Sequence, residues 1–225
     1  MLRISSLSWL MLIGPTAVAQ NASLAGTVMF ENGTPAANIA VVETRIPEWA
    51  EIAENRNWVK TVRSSAQTDS SGRFAFAGLT AGRHVVCAQA SGDGILSSCR
   101  WGDAGQLLQI SAAQARTGIT ITLRSGTIVT MLFHDPHQRL AGRSNWSPSV
   151  MSDVGQFVTA RRDADQSNGV LKFLATVPKD HVGFIVLDRQ FAISGDTGIV
   201  LRNNIPAMPF SAGKRDNVTL NFSIQ

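Results

Sequence analysis

Short runs of alternating apolar and polar residues, fenced by turn chemistry, dominate residues 21–124. Strand candidates fall at 23–30 (SLAGTVMF), 38–44 (NIAVVET), 61–68 (TVRSSAQT), 73–79 (RFAFAGL), 83–90 (RHVVCAQA), 106–110 (QLLQI) and 118–123 (GITITL). Phe74 and Phe76 lie two apart and share a strand face, as do Ile119, Ile121 and Leu123, with Thr120 and Thr122 opposite. Asn32-Gly33 is a strong hairpin signal, and it predicts 38–44 as the return strand. "DSSG" at 69–72 has the Asp-first, Gly-last chemistry of a type I turn, and "GLTAG" at 78–82 is a second glycine turn. About seven short strands at regular spacing are the signature of an antiparallel β-sandwich. One stretch breaks the pattern: "RIPEWAEIAENRNWVK" at 45–60 reads as a short helix or ordered insertion, with Pro47 at an N1-like position.

The same logic resumes less regularly after Ser125-Gly126. Apolar runs at 127–135, 155–162, 169–177, 181–188, 191–194, 199–203 and 218–224 are each bounded by Gly, Asn or Pro. The expected organisation is an all-β chain: a β-sandwich over 20–124 and a second, smaller or less regular β domain over 125–225. No sequence repeat relates the two halves and no low-complexity linker parts them, so they are expected to pack closely.

The first twenty residues follow a different plan. Arg3 is followed by an apolar centre from Leu7 to Ile13, then Gly14-Pro15 and Ala17-Val18-Ala19. That is the layout of a secretory signal at 1–19, cleaved after Ala19. The apolar run is too short to span a bilayer, so the mature protein is expected to be secreted or periplasmic, with no membrane span after cleavage. Two cysteines, Cys87 and Cys99, are expected to form a disulfide in that setting. Charged residues are only 16% and the net charge is +4, scattered rather than clustered. A nucleic-acid surface needs a basic stripe, which is lacking.

The residues around the first two turns carry a resemblance. "LAGTVMFENGTPAANIAVV" and "AQTDSSGRFAFAGLTAGRHVVCAQA" are similar to the carboxypeptidase regulatory-like domain, with its pattern T-D-x-x-G-x-F-x-F-x-x-L-x-x-G-x-Y. Thr68, Asp69, Gly72, Phe74, Phe76, Leu79 and Gly82 fall on the pattern, while His84 replaces the aromatic and the 45–60 insertion departs from it. The resemblance covers residues 22–90, at most to 124. It implies a transthyretin-like (prealbumin-like) sandwich. The whole chain also looks like exported bacterial proteins in which such a domain precedes a second β unit. Family members commonly carry the domain as a non-catalytic appendage. A transthyretin-like ureide-pathway hydrolase ends in a distinctive tetrapeptide that "NFSIQ" lacks.

The candidate chemistry is sparse. "HDPH" brings His134, Asp135 and His137 close in sequence, which raises a metal-dependent hydrolase as a minor alternative, but a zinc site needs further ligands. Asp69 alone offers too few oxygens for calcium. There is no H-E-x-x-H, G-x-S-x-G or phosphate loop. No catalytic, metal or cofactor-binding residue is expected. Trp49, Trp58, Trp101 and Trp146 sit in predicted loops or strand ends; Trp101 is expected against the disulfide, and Trp49 and Trp58 are the candidates for ligand binding. Sequons occur at Asn21, Asn32, Asn145, Asn217 and Asn221. The leading expectation is an exported, non-enzymatic interaction module whose partner is a protein or polysaccharide at the cell envelope. A carbohydrate-binding module using the loop tryptophans is the alternative.

Overall fold

The computed structural model describes residues 21–54, 61–90, 93–101, 106–140, 143, 145–152, 155–163, 169–187, 191–202 and 204–225. The predicted leader at 1–19 and Trp58 lie outside the described residues. Among the described residues the protein is all-β apart from one short helix.

In the first half the alternating runs become β1 (Ala22–Phe30), β2 (Ala40–Ile46), β3 (Arg63–Gln67), β4 (Arg73–Leu79), β5 (Gly82–Gln89), β6 (Gln106–Ile110) and β7 (Ala115–Leu123), with helix α1 (Trp49–Glu54) after β2. They form two sheets, β4-β1-β7 and β3-β2-β5-β6. Inward residues of both sheets, among them Leu24, Val28, Val41, Phe74, Phe76, Val86, Ile110, Ile119 and Ile121, make one buried apolar cluster. This is the β-sandwich arrangement, with every second residue of a strand facing the opposite sheet.

The turn from Thr68 to Gly72 explains why those residue types stand there. Asp69 Oδ1 accepts the backbone N–H groups of Ser71 and Arg73, each at 2.8 Å. Gly72 has φ +73°, and a Cβ there would lie 2.4 Å from the Val28 carbonyl oxygen. Thr68 donates its hydroxyl to Ala36 O at 2.6 Å and accepts the Ile39 N–H at 2.9 Å, so it fastens the chain where it crosses between the sheets.

One expectation for this half is corrected. The chain does turn at Asn32-Gly33, with Phe30 N–H bonded to Thr34 O at 2.9 Å. Yet the following strand does not pair back onto β1. Both edges of β1 are occupied, by β4 and by β7, and β2 crosses to the other sheet between β3 and β5. The sandwich is antiparallel as expected, with one parallel pair, β1 beside β7.

The second half contains β8 (Thr127–His134), β9 (Ser149–Ser152), β10 (Phe157–Thr159), β11 (Arg161–Arg162), β12 (Val170–Val177), β13 (Val182–Val186), β14 (Ile193–Gly195), β15 (Val200–Arg202), β16 (Ile205–Ser211) and β17 (Asn217–Ile224). Its sheets are β11-β12-β8-β17-β14 and β10-β9-β13-β16-β15. Without β11, β14 and β15, this order matches the first half strand for strand. The opening strand of each half lies between a middle strand, antiparallel, and the last strand, parallel. A second apolar cluster, with Phe133, Phe173 and Phe222 at its centre, fills this sandwich.

The predicted strand at 155–162 is in fact two. Ala160, only 4% exposed, turns into the core and donates its N–H to Pro148 O. The chain thereby switches sheets, with β10 beside β9 and β11 beside β12. The sequence pattern does not reveal β9 or β16. β9 has four residues, and β16 contains Pro206 and Pro209. The prolines cannot donate to the ladder, but their carbonyls accept from Leu187 N–H and the Thr197 hydroxyl.

Candidate functional site

The 45–60 insertion begins as β2 ends. Glu48 caps α1, and Glu51 reaches back to the Glu48 N–H at 2.8 Å, which is half of a capping box. Pro47 therefore precedes the cap instead of occupying the first helical position. Both Glu51 oxygens also receive the Arg45 guanidinium, at 2.7 and 3.1 Å. That guanidinium, helped by the Glu48 N–H, holds the Glu51 carboxyl below the usual range, and Glu51 in turn pushes Arg45 up. α1 buries none of its side chains. Trp49, 79% exposed, and Ile52, 41% exposed, stand one turn apart on the same side. The indole is thus displayed on a helix pinned at its N-terminus by a bidentate pair.

The second feature joins the two halves. Cys87 on β5 and Cys99 form the expected disulfide. It lies on the outward face of the β3-β2-β5-β6 sheet, over Val42, which is 4% exposed. The segment 93–101 then runs as a strap onto the second sandwich. Leu96 N–H bonds Arg124 O at 2.8 Å, Gly126 N–H bonds Gly94 O at 2.9 Å, and Ile95 bridges to Ser125. Gly94 N–H donates to Thr176 Oγ1, and Asp93 takes both of its oxygens to the Arg161 guanidinium at 3.0 Å.

The strap ends in Trp101, and here the structure departs from the expectation that Trp101 packs on the disulfide. Trp101 is 5% exposed and belongs to the apolar cluster of the second half. Its Nε1–H donates to Thr176 O at 3.0 Å, and its ring meets His181 edge-on at 5.1 Å. The second-half core offers apolar neighbours and a carbonyl acceptor, whereas the disulfide lies on an outer sheet face. Glu31 adds a further tie by accepting the Ser125 N–H and hydroxyl, each at 3.0 Å, which lowers its pKa.

Both Asp135 oxygens accept backbone N–H groups, of Arg139 at 2.9 Å and Leu140 at 2.7 Å, so this carboxylate shapes the loop after β8. His134 and His137 are exposed, and His181 lies against Trp101. Among the described residues, no group of three His, Cys, Asp or Glu could hold a metal ion. Trp146 packs edge-on against Phe133 and Phe173, so it caps the second core rather than offering a platform.

Sequence reasoning does not single out the pair Glu43 and His84. Both are 1% exposed, and Nδ1 lies 2.6 Å from Glu43 Oε1, while Nε2 faces Thr80 O at 2.9 Å. Both ring nitrogens face oxygen, so Nε2 carries a proton and the Nδ1–Oε1 contact holds another. The signal was available: each residue stands at an inward position of its strand, Glu43 after Val41 and His84 before Val86. Sealed from solvent, the pair joins β2 to β5 and is out of reach of a substrate.

No protein-family model matches this chain, and no curated protein matches it. Among solved structures it is similar to a streptococcal ancillary pilin, at 12% identity and TM-score 0.40 over 90% of this chain and 62% of that one. It is also similar to GBS52, the minor pilin of Streptococcus agalactiae, at 11% identity and TM-score 0.38 over 91% of this chain and 95% of that one. A third is the Bacillus anthracis TIE protein, at 11% identity and TM-score 0.33 over 92% of this chain; the chain spans only 34% of that protein's length. Likenesses of this size leave the function to be read from the chain itself.

Proposed function

We propose that this chain is an exported, non-catalytic accessory or structural module of the cell envelope. In this reading residues 1–19 are removed after Ala19. Residues 20–124 form a carboxypeptidase regulatory-like sandwich and 125–225 a second sandwich of the same topology, and the two present their surfaces to a protein partner as one piece. The observation that carries it is the strap. Six polar contacts and a buried tryptophan tie the halves together, while Asp69, Asp135, Glu51, Glu43 and His84 are spent on turns, a cap and a sealed pair. A disulfide built into this junction suits an oxidising compartment. Among the described residues, no helix is long and apolar enough to cross a membrane.

The test is site-specific photo-crosslinking in the native host, with the photoreactive residue placed in turn at several exposed positions of both halves. The expected result is a discrete envelope adduct from at least one position. No adduct from any position sinks the reading. Intact mass of the exported protein should begin at Gln20 with both cysteines oxidised.

One observation favours a second reading, carbohydrate binding: the indole of Trp49, 79% exposed, is held on a pinned helix. A flat ring presented this way suits stacking on a sugar face. A polysaccharide pull-down with Trp49→Ala beside wild type decides this reading, and equal retention of the two removes it.

A further inference from the structure

The outward face of the β10-β9-β13-β16-β15 sheet is apolar. Register sets Phe157, Met151, Phe184 and Pro209 side by side across four strands, one residue from each. Val182, next outward on β13, and Val200 on the edge strand β15 extend the patch. Phe157, Val182 and Val200 are 57%, 62% and 43% exposed, so these are large apolar groups in water. Arg202 is the one charged residue in the five strands.

Other outward faces mix polar and apolar groups. The opposite sheet of the same sandwich turns Lys172, Thr130, Thr219 and Asn221 outward among Ile128, Leu132 and Leu174. The matching sheet of the first sandwich turns out Arg63, Arg83, Gln89 and Gln109 beside Val85 and Leu107. The described ties from the first half fall on Ser125, Gly126, Arg161, Thr176 and His181, none of which belongs to the apolar sheet. An apolar sheet face of this kind marks an interaction site.

We propose that this face pairs with the same face of a second copy of the chain, across a two-fold axis. The proposal rests on the interaction-module reading and names its partner. A two-fold interface sets a patch against itself, so a patch charged with one sign repels its own copy. This patch carries almost no charge and meets its copy without that penalty. For the same reason its strands offer little to steer a polyanion. Two flat faces stack as the sheets of a sandwich do, about 10 Å apart with strands inclined by about 30°. Five strands of three to seven residues, at about 3.3 Å per residue and about 4.8 Å apart, give a face of roughly 350 Å² in projection. A stable interface takes about 800 Å² of accessible surface from each partner. The pairing is therefore weak and concentration-dependent, at the low end of specific interfaces.

Sedimentation velocity of the mature, disulfide-intact protein from about 1 to about 200 µM reads this directly. The expected result is a shift from monomer to dimer within the range, weakened at least about tenfold by Val182→Lys, which buries an unpaired charge. Thr219→Lys, on the opposite sheet, should leave the shift unchanged, and matching thermal melts show that both variants fold. A monomer at every concentration overturns the proposal, as does a dimer indifferent to V182K or one abolished by T219K. Binding to phosphatidylcholine vesicles that V182K removes, without self-association, also overturns it. A monomer that still crosslinks to an envelope protein defeats this proposal alone and leaves the module reading standing. A chain that neither self-associates nor crosslinks defeats both.

Discussion

Trp101→Ala tests whether the strap holds the two sandwiches together. The ring is 5% exposed within the second core, meets His181 at 5.1 Å and donates to Thr176 O. Truncating a buried tryptophan to alanine costs about 3–5 kcal/mol, from lost apolar burial and the cavity left behind. The edge-on contact with His181 and the carbonyl left without its donor place this site toward the upper end. If the halves melt together, the loss corresponds to a Tm drop of roughly 6–20 °C. Trp101→Phe retains most of the packing and loses the N–H, so about 1–3 kcal/mol should remain lost. Trp49→Ala, at a 79% exposed position, should stay within about 0.5 kcal/mol of wild type. Calorimetry and urea unfolding, followed by both fluorescence and far-UV circular dichroism, read the series. W101A should also split a single transition into two, because the anchor that couples the sandwiches is gone. A change below about 1 kcal/mol in W101A, or a W49A effect as large, would refute the reasoning.

Other perturbations probe the scaffold. Replacing Cys87 and Cys99 by serine should cost about 3 kcal/mol by the loop-entropy estimate for a closed loop of this size, read by urea unfolding of the double variant beside wild type; an unchanged midpoint contradicts it. Gly72→Ala should destabilise by about 2 kcal/mol or more, because it adds a clash with the Val28 carbonyl to a left-handed backbone. Gly118→Ala, at φ +76° but with open space around it, should cost only about 1 kcal/mol. Equal losses at the two glycines would show that the close approach is unimportant. Glu51 is depressed by Arg45, so its stabilisation of α1 is fully present above the ordinary glutamate pKa and is lost as pH falls through the lowered value. Protection of the α1 amides, taken relative to the intrinsic exchange rate at each pH, should therefore fall on acidification below about pH 4, and Arg45→Ala should lower it at neutral pH and flatten that acid dependence; an acid response unchanged in R45A rules this out.

Strands of the first half were legible because their information is local. Period-two alternation and the turn chemistry of Asp69, Gly72 and Gly82 sit within a few residues of the strands they bound, and all seven runs appear as strands. The second half was less legible for equally local reasons. Pro206 and Pro209 disguise β16, β9 is only four residues long, and Ala160 hides a change of sheet inside one apolar run. Trp49 was readable as a displayed side chain because it stands in a polar insertion. Trp101 was assigned to the wrong neighbour, because nothing within reach of Cys99 in sequence points to Thr176 or His181.

Taken alone, the sequence determined the all-β class, the first-half strands, the cysteine pairing and the break at 45–60. Each follows from side-chain period, backbone preference or residue count, and none needs a distant partner. Only the tertiary structure decided which strands pair, that β1 and β8 run parallel to the last strand of their half, and that both halves share one topology without a shared sequence. It alone placed Trp101 in the other half's core, closed Glu43 on His84 and gathered Phe157, Met151, Phe184 and Pro209 into one row. These depend on contacts between residues far apart in the chain. Such contacts are chosen by which faces can be buried together, and a strand's own pattern shows that it has an apolar face without naming what will cover it.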